Sequence, residues 1–489
     1  MTRKTYCGNL LWQSGLTLLA PVGSRCRVAL SALVQEGGET VKSVFLAAFA
    51  SLAAVLPAPL RAAEAPSAKP LLRVAVLSDI QGYPYAEDAG MRNLERALDV
   101  LAGFHPDVVV NAGDISDTGR DAAAVAYYKK RCDARLGPLP HIACMGNHEL
   151  AFIPDELKAQ RTVAAIRRDF NAVFGYPAGS RAVRRTIGGY DFVALSLSDC
   201  AGYTDDELAE LKGLLDASVA RDASKPIFVV THYHPQNTVN DSASWWMGGG
   251  LRRLLDGYAQ VVSLSGHTHA PLQDPRSIWQ GGFTAIETST LCYGCIFNDP
   301  PAANQVSSLL PYGHESVGFL LIEVFADRIA IRRFSACDRR EIEPATPWSV
   351  KLPYRPEEAV YAPGARRACA PQFAGDPRPT LWYDYGFVYL MFDAASAGGP
   401  VMGYRIELAQ KGGGVRSYLH LADFYRVAAH RSSRVVFRAP PESLKPGKTY
   451  HCAIRPVGFF GETGRAAEWF FTIDANYPIK DEPPLSVQE

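Results

Sequence analysis

Five short polar motifs, each set directly behind a short apolar run, constrain this chain more than any other feature. In order they are Ser78-Asp79-Ile80-Gln81, Gly113-Asp114-Ile115-Ser116-Asp117, Gly146-Asn147-His148-Glu149, Thr231-His232-Tyr233-His234 and Gly266-His267-Thr268-His269. The runs ahead of them, Val74 to Leu77, Val108 to Val110, Ile142 to Met145, Ile227 to Val230 and Val261 to Leu264, read as buried strands. Polar groups at the C-terminal ends of neighbouring strands converge on one crevice of an open α/β sheet. Oxygen and imidazole donors gathered there can build a two-metal centre from parts far apart in sequence.

Between the motifs, helical stretches are expected over Met91 to Gly103, Ala122 to Arg135, Pro154 to Asn171 and Asp205 to Ala220, the last opened by Thr204 as N-cap. Strand–helix alternation from Leu71 to about Phe334 argues an α/β architecture. After Arg333 the pattern changes. Residues 336–375 are rich in Pro, Ala and charge and read as a connector packed on the first domain or a linker. Short strand-like pieces follow at Phe387 to Phe392, Gly403 to Ala409, Arg434 to Arg438, Tyr450 to Pro456 and Glu468 to Ile473, an all-β rhythm. No internal repeat is visible.

A length of 489 residues calls for more than one domain, since single cores stop growing near ~250–300 residues. The formal net charge is zero, so nothing global points to nucleic acid or an anionic membrane. Residues 1–40 show no period. Lys42 then precedes an apolar stretch from Val44 to Leu56, followed by prolines and Ala62-Ala63-Glu64-Ala65. That order describes a secretory signal peptide placed late, with a true start near residue 41. The alternative, an uncleaved anchor, has an apolar run shorter than the ~20 residues of a membrane span. The chain is therefore expected to be exported, periplasmic or secreted, with no stable span once the leader is removed. Without residues 1–65 it has 44 Lys+Arg against 47 Asp+Glu, a net of −3, and keeps eight of ten cysteines. Cys292 and Cys295 are the expected local disulfide pair, a zinc knuckle there lacking a second Cys/His pair. Cys144, in an apolar strand, is expected to be a buried free thiol.

Across residues 73–334 the five motifs, in this order, resemble the calcineurin-like metallophosphoesterase superfamily. The resemblance implies a four-layer α/β/β/α sandwich with the site at the strand ends. It implies one metal held by Asp79, Gln81, Asp114 and His269, and a second by Asp114, Asn147, His232 and His267, with Asp114 bridging. A carboxylate suits the bridge because its oxygens offset charge on two cations, while imidazoles and an amide carbonyl leave enough Lewis acidity to activate water. His148 is then the candidate catalytic group at the leaving oxygen, oriented by Asp117; a carboxylate behind an imidazole fixes its tautomer and raises its pKa. Capping of the turn is the other role open to Asp117.

Gln81 departs from the commoner Asp-x-His of the superfamily. An amide oxygen shifts that site towards Mn or Mg and away from Zn. Either Gln81 coordinates and tunes the metal, as in members resembling manganese-dependent nucleotide-diphosphate hydrolases, or the first site is weakened. The cofactors implied are two divalent ions, Mn, Fe or Zn, with Mn favoured.

Several neighbours stay open. His234 could contact substrate or make a structural hydrogen bond. Tyr83 and Tyr85 could stack on a base or sugar, or be exposed loop tyrosines. Ser242 to Trp246, ahead of Gly248-Gly249-Gly250, suits a substrate rim or a packed tryptophan. His105, His141, His314, His420, His430 and His451 have no motif context and read as structural.

Towards the C-terminus, Leu444-Lys445-Pro446-Gly447-Lys448-Thr449-Tyr450 resembles the turn and buried tyrosine before a late strand of fibronectin type III sandwiches, and Gly461 to Gly464 fits the same pattern. The implied organisation is a leader over 1–65, a metallophosphoesterase domain over 70–335, a connector over 336–375, a fibronectin type III-like domain over 376–475 and a tail over 476–489. The function implied is metal-dependent hydrolysis of a phosphomonoester or phosphodiester by water, on a small phosphorylated substrate. The alternatives are an ADP-ribose-like nucleotide-diphosphate pyrophosphatase and a non-catalytic exported binding protein with a structural metal site. No partner of the sandwich is implied.

Overall fold

In the computed structural model, the apolar runs ahead of the motifs form two sheets that face one another across a buried layer. The structure describes residues 69–478 apart from 84–87, 120–122, 243–245, 297–307, 310–311 and 367–368. The expected leader, Tyr85, and Ala243 to Trp245 lie outside the described residues. In chain order the elements are β1 (Leu72–Leu77), α1 (Ala89–Ala102), β2 (Val108–Asn111), α2 (Ala123–Leu136), β3 (His141–Ala143), α3 (Val163–Phe174), β4 (Ala182–Ile187), β5 (Tyr190–Leu195), α4 (Asp205–Arg221), β6 (Ile227–Thr231), α5 (Gly249–Leu255) and β7 (Val261–Ser265). Then follow β8 (Ile278–Gln280), β9 (Thr284–Glu287), β10 (Cys295–Ile296), β11 (Ser308–Leu309), β12 (Gly318–Val324), β13 (Arg328–Ser335), β14 (Glu341–Ile342) and β15 (Trp348–Lys351).

The first sheet runs β14-β13-β12-β1-β2-β3, with β15 also on β13; the second runs β4-β5-β6-β7-β9-β8. Register is what gathers the motifs. Leu77 pairs with Asn111 and Asn111 with Ala143, so the first three motifs leave one sheet edge together. Leu195 pairs with Thr231 and Ser265 with Glu287 in the second sheet, which places the two His-rich motifs along the facing edge.

Side chains alternate across each strand. Val74, Val76, Val108 and Val110 meet Phe192, Phe228, Val230 and Leu264 between the sheets. Ala75, Leu77 and Val109 point the other way, against Leu94, Leu98 and Leu101 of α1, spaced for one helical face. On the far side, Val193, Val229 and Val261 pack on Leu211 and Leu215 of α4 and Leu251 and Leu255 of α5. These layers are the four-layer α/β/β/α sandwich.

The expected helix over Pro154 to Asn171 is divided. A single 3-10 turn spans Asp155–Leu157, and the helix begins at Val163. Between them, over Lys158 to Thr162, only Ala159 is apolar, so there is no face to bury, and the Thr162 hydroxyl restarts the helix by accepting from Ala165 N–H. Thr204 caps α4 as expected, in a full capping box with Glu207.

Residues 341–366 pack on the α/β domain, the first of the two arrangements open to the connector. β14 and β15 extend the first sheet through β13. Further on, Tyr361 N–H donates to Gln280 of the second sheet and Tyr354 donates to Gly281 O. Seven antiparallel strands follow: Thr380–Asp384, Phe387–Asp393 and Arg434–Arg438 in one sheet, and Val415–Leu421, Gly403–Gln410, Thr449–Val457 and Ala467–Thr472 in the other. Leu390 and Phe392 pack on Ile406, Cys452 and Ile454 between them, an all-β sandwich. Tyr450 is buried and its hydroxyl accepts from Lys445 N–H at 2.8 Å, pinning the turn as tyrosine corners do. Tyr425 of this sandwich donates to buried Asp274 at 2.9 Å, and Arg426 makes a bidentate pair with Glu315.

Cys292 and Cys295 are free thiols, against the expected disulfide, as are the other six described cysteines, Cys144 included. Cys295 is committed to the β10 ladder, opposite Leu309, and its thiol is buried, so it does not turn back to Cys292.

Candidate metal centre and active site

Each motif loop turns sharply as it leaves its strand, and the backbone shows how sharply. Asp79, Gln81, Asp114, His267 and His269 all adopt positive φ, from 47° to 75°. Such conformations cost roughly 1–3 kcal/mol per residue and persist where the surroundings over-determine them. The cores beneath supply that constraint, since each fully buried Leu, Val or Phe contributes about 1.5–3 kcal/mol. Two glycines make the crowding possible. A Cβ at Gly113 would lie 2.6 Å from His232 Nδ1, and one at Gly266 would lie 2.2 Å from Asp79 Oδ2.

The strained residues converge. His232 Nε2 lies 3.1 Å from Asp114 Oδ2 and 3.0 Å from Asn147 Oδ1. Donor atoms of Asp114, His232 and His267 all lie within 4.8 Å of one another. The four residues expected at the second metal are thus in one place. Beside them, His269 Nε2 lies 3.1 Å from Asp79 Oδ1 and 3.3 Å from the Gln81 amide. His267 N–H donates to both Asp79 oxygens, tying the two halves together.

The chemistry of this donor set fits divalent cations. His232 Nδ1 donates to Ala112 O at 2.9 Å, and His269 Nδ1 to Tyr293 O at 2.9 Å. Each bond leaves the Nε2 lone pair facing the carboxylates, the tautomer a metal requires. Burial works to lower the His232 pKa, but Asp114 outweighs it and raises it to about 9. Burial would likewise raise Asp114, yet the surrounding imidazoles hold it below the usual carboxylate range. The carboxylates here demand positive charge, and cations would meet that demand without protonating the ligands. Gln81 is buried, its amide 3.1 Å from His148 Nε2. A half-turn of that amide exchanges its nitrogen for its oxygen, so Oε1 can be offered to a cation at the same position.

His148 sits at the open side of the cluster, its Nε2 4.0 Å from Asp114 Oδ2. Its Nδ1 is 2.7 Å from the Asp117 main-chain carbonyl, while the Asp117 carboxylate is at 3.6 Å. Asp117 therefore orients the ring chiefly through its backbone, and its carboxylate accepts from the Tyr83 hydroxyl. Burial opposes protonation of His148, but Asp114 and Asp117 raise its pKa to about 10. Tyr83 stands at the rim. His234 does not face substrate: it is 4 % exposed, its Nε2 2.6 Å from buried Glu287. Glu287 in turn accepts from Thr268, between the two ligand histidines, so His234 supports that loop.

Two carboxylates were not singled out from the sequence. Glu149 is 2 % exposed and accepts from the N–H groups of Gly146, Ser116 and Asp114 at 2.7, 2.9 and 3.1 Å. It holds the second and third motif loops together. Burial, reinforced by the Asp114 charge, raises its carboxyl to about 7. Its signal was its place inside a motif. Glu287 was signalled only by a carboxylate ending a buried strand. Tyr203, whose hydroxyl accepts from His232 and Tyr233 N–H, gave no signal at all.

Facing sheets with a buried Asp/Asn/His cluster at their common edge are an arrangement that could hold divalent cations. Residues 72–271 match the family model described as calcineurin-like phosphoesterase, so this part of the chain is a domain of that description. Among solved structures, a dimetal phosphatase from Danio rerio is 15% identical with a TM-score of 0.40, over 59% of this chain and 100% of that one. A purple acid phosphatase from yellow lupin seeds is 13% identical with a TM-score of 0.42, over 60% of this chain and 56% of that one. A 5'-nucleotidase precursor from Thermus thermophilus is 11% identical with a TM-score of 0.31, over 69% of this chain and 76% of that one. Likeness at this level bears on neither substrate nor site. The comparison with curated proteins finds no match.

Proposed function

We propose that the chain is a two-metal phosphoester hydrolase acting on a small phosphomonoester or phosphodiester. The observation that carries this reading is the convergence of Asp114, Asn147, His232 and His267 beside Asp79, Gln81 and His269, with protonatable His148 at the mouth. Two divalent cations held there, Mn favoured by the Gln81 amide, would supply the Lewis acidity that activates water and neutralises phosphoryl charge. Asp114, placed between the two sets, would bridge them. His148, charged and turned outward by the Asp117 carbonyl, would donate its Nε2 proton to the departing alkoxide. Glu149 and Glu287 hold the loops so that this geometry exists before substrate arrives. Export by the leader and a fibronectin type III-like identity for the sandwich belong to the same proposal. The sandwich identity is supported by the strand order and the Tyr450–Lys445 bond.

The test is hydrolysis of p-nitrophenyl and bis-p-nitrophenyl phosphate by the chain from residue 66 onward, loaded with Mn, Fe or Zn. Turnover that is lost in Asn147→Ala and His267→Ala supports the reading. Bound metal with no turnover in any combination refutes it and leaves a binding protein with a structural metal site.

A further inference from the structure

Three aromatic rings lie partly exposed beside the Gln81 half of the centre. Phe152, 40 % exposed, packs on the outer face of His148 with ring centroids 5.3 Å apart. Tyr293, 37 % exposed, packs on His269 at 4.5 Å. Tyr83, 43 % exposed, is anchored through its hydroxyl to Asp117. The Gln81 amide touches both His148 and His269, the two imidazoles on which Phe152 and Tyr293 pack. The other half differs: the ring beside His267 is Tyr233, which is buried.

Phe152 adds an independent sign. Its φ is 56°, left-handed backbone that a bulky side chain rarely adopts. Its loop is held on both sides, by Gly119 N–H donating to Ala151 O and by Glu149 below. Neither the core nor a ladder needs this ring. Strain kept in order to hold an exposed aromatic beside the proton donor is strain of the kind that accompanies ligand contact.

We propose that these rings form a stacking site for a planar aromatic group on the substrate's leaving alcohol, so that the preferred substrates carry a nucleobase or an aryl ring. This rests on the hydrolase reading above and adds the substrate's organic half. The ring would sit on the His148 side, where the alcohol departs and takes the proton. No particular base is singled out, because stacking uses the π-face that every base has.

The experiment compares kcat/KM of the Mn-loaded chain for a nucleoside 5′-monophosphate and for benzyl phosphate, each against ribose 5-phosphate. All three release a primary alcohol, so the ring is the principal difference. In parallel, calorimetry compares phenylphosphonate with methylphosphonate, neither of which can be hydrolysed at an ester. The expected result is a preference for the ring of about 5- to 140-fold in both arms, the range for one stacked base. Phe152→Leu and Tyr293→Leu should shrink that ratio, Phe152→Tyr should keep it, and Tyr385→Ala, an exposed aromatic on the sandwich, should not change it. Preference for the nucleotide alone identifies a nucleobase; preference for both identifies any aryl group. Hydrolysis without ring preference overturns this proposal and leaves the hydrolase standing. Ring-selective phosphonate binding without hydrolysis does the reverse.

Discussion

Replacing Glu149 by Gln tests whether one buried carboxylate assembles the centre. Oε2 of Glu149 serves the N–H groups of Asp114 and Gly146, and Oε1 serves that of Ser116. A glutamine has one oxygen for these three donors. Placed on the Asp114 and Gly146 side, it turns its own NH2 against Ser116 N–H; placed the other way, it strands two donors. The first arrangement is the less costly. It leaves one buried donor unsatisfied, about 1–3 kcal/mol, and weakens the other bonds by removing their charge assistance. The sum is a loss of roughly 2–4 kcal/mol in stability. The same change loosens the turns that carry Asp114 and Asn147, and supporting groups of this kind are worth about 10–100-fold in metal affinity. The assay is urea unfolding with and without Mn, and calorimetric Mn titration, at pH 8. That pH lies above the value of about 7 to which burial and Asp114 raise this carboxyl, so the ionised form is the one compared. Unchanged unfolding and unchanged Mn affinity in Glu149→Gln would refute the idea that this carboxylate is what couples the two loops.

Two further outcomes follow from the same structure. Gln81→His replaces an amide by an imidazole between His148 and His269, and should raise the ratio of bound Zn to bound Mn in metal analysis after loading from an equal mixture; an unchanged ratio means that Gln81 does not contact the metal. His141 is almost fully buried, and burial lowers its pKa from 6.5 to about 4. Between those values the unfolded chain binds the proton and the folded chain does not, so stability is present above pH 6.5 and falls as pH drops towards 4, by up to about 3 kcal/mol. Thermal melts of wild type and His141→Gln across pH 4–7 should show a shallower slope in the variant; parallel curves would exclude His141 as the source.

The sequence was most legible where chemistry is local. Apolar runs of three or four residues marked the parallel strands because both of their faces are buried, and the polar motifs behind them marked the edge where the chain leaves the sheets. Thr204 announced a helix start because an N-cap bond is made within four residues. The residues of the cluster were legible because Asp, Asn, His and Gln all carry oxygen or nitrogen donors that can be offered to a cation. Where the sequence misled, either a local cap or a pairing from elsewhere in the fold had decided. Thr162 and the lack of an apolar face broke the expected helix over Pro154 to Asn171. Cys295 took a place in a strand rather than a bond to Cys292.

What the sequence determined by itself was therefore the list of elements and the set of donors, since periodicity and side-chain chemistry are properties of the chain alone. Only the tertiary structure decided how those donors are held. Register brought Leu77, Asn111 and Ala143 level, Glu149 joined loops separated by one whole helix, and the carbonyl of Asp117 rather than its carboxylate turned His148. It also decided that Phe152 and Tyr293 stand beside the Gln81 half while Tyr233 is buried at the other. Contacts of that kind depend on which strand lies beside which and on the last few degrees of backbone rotation. Those are set by the packing of two sheets together.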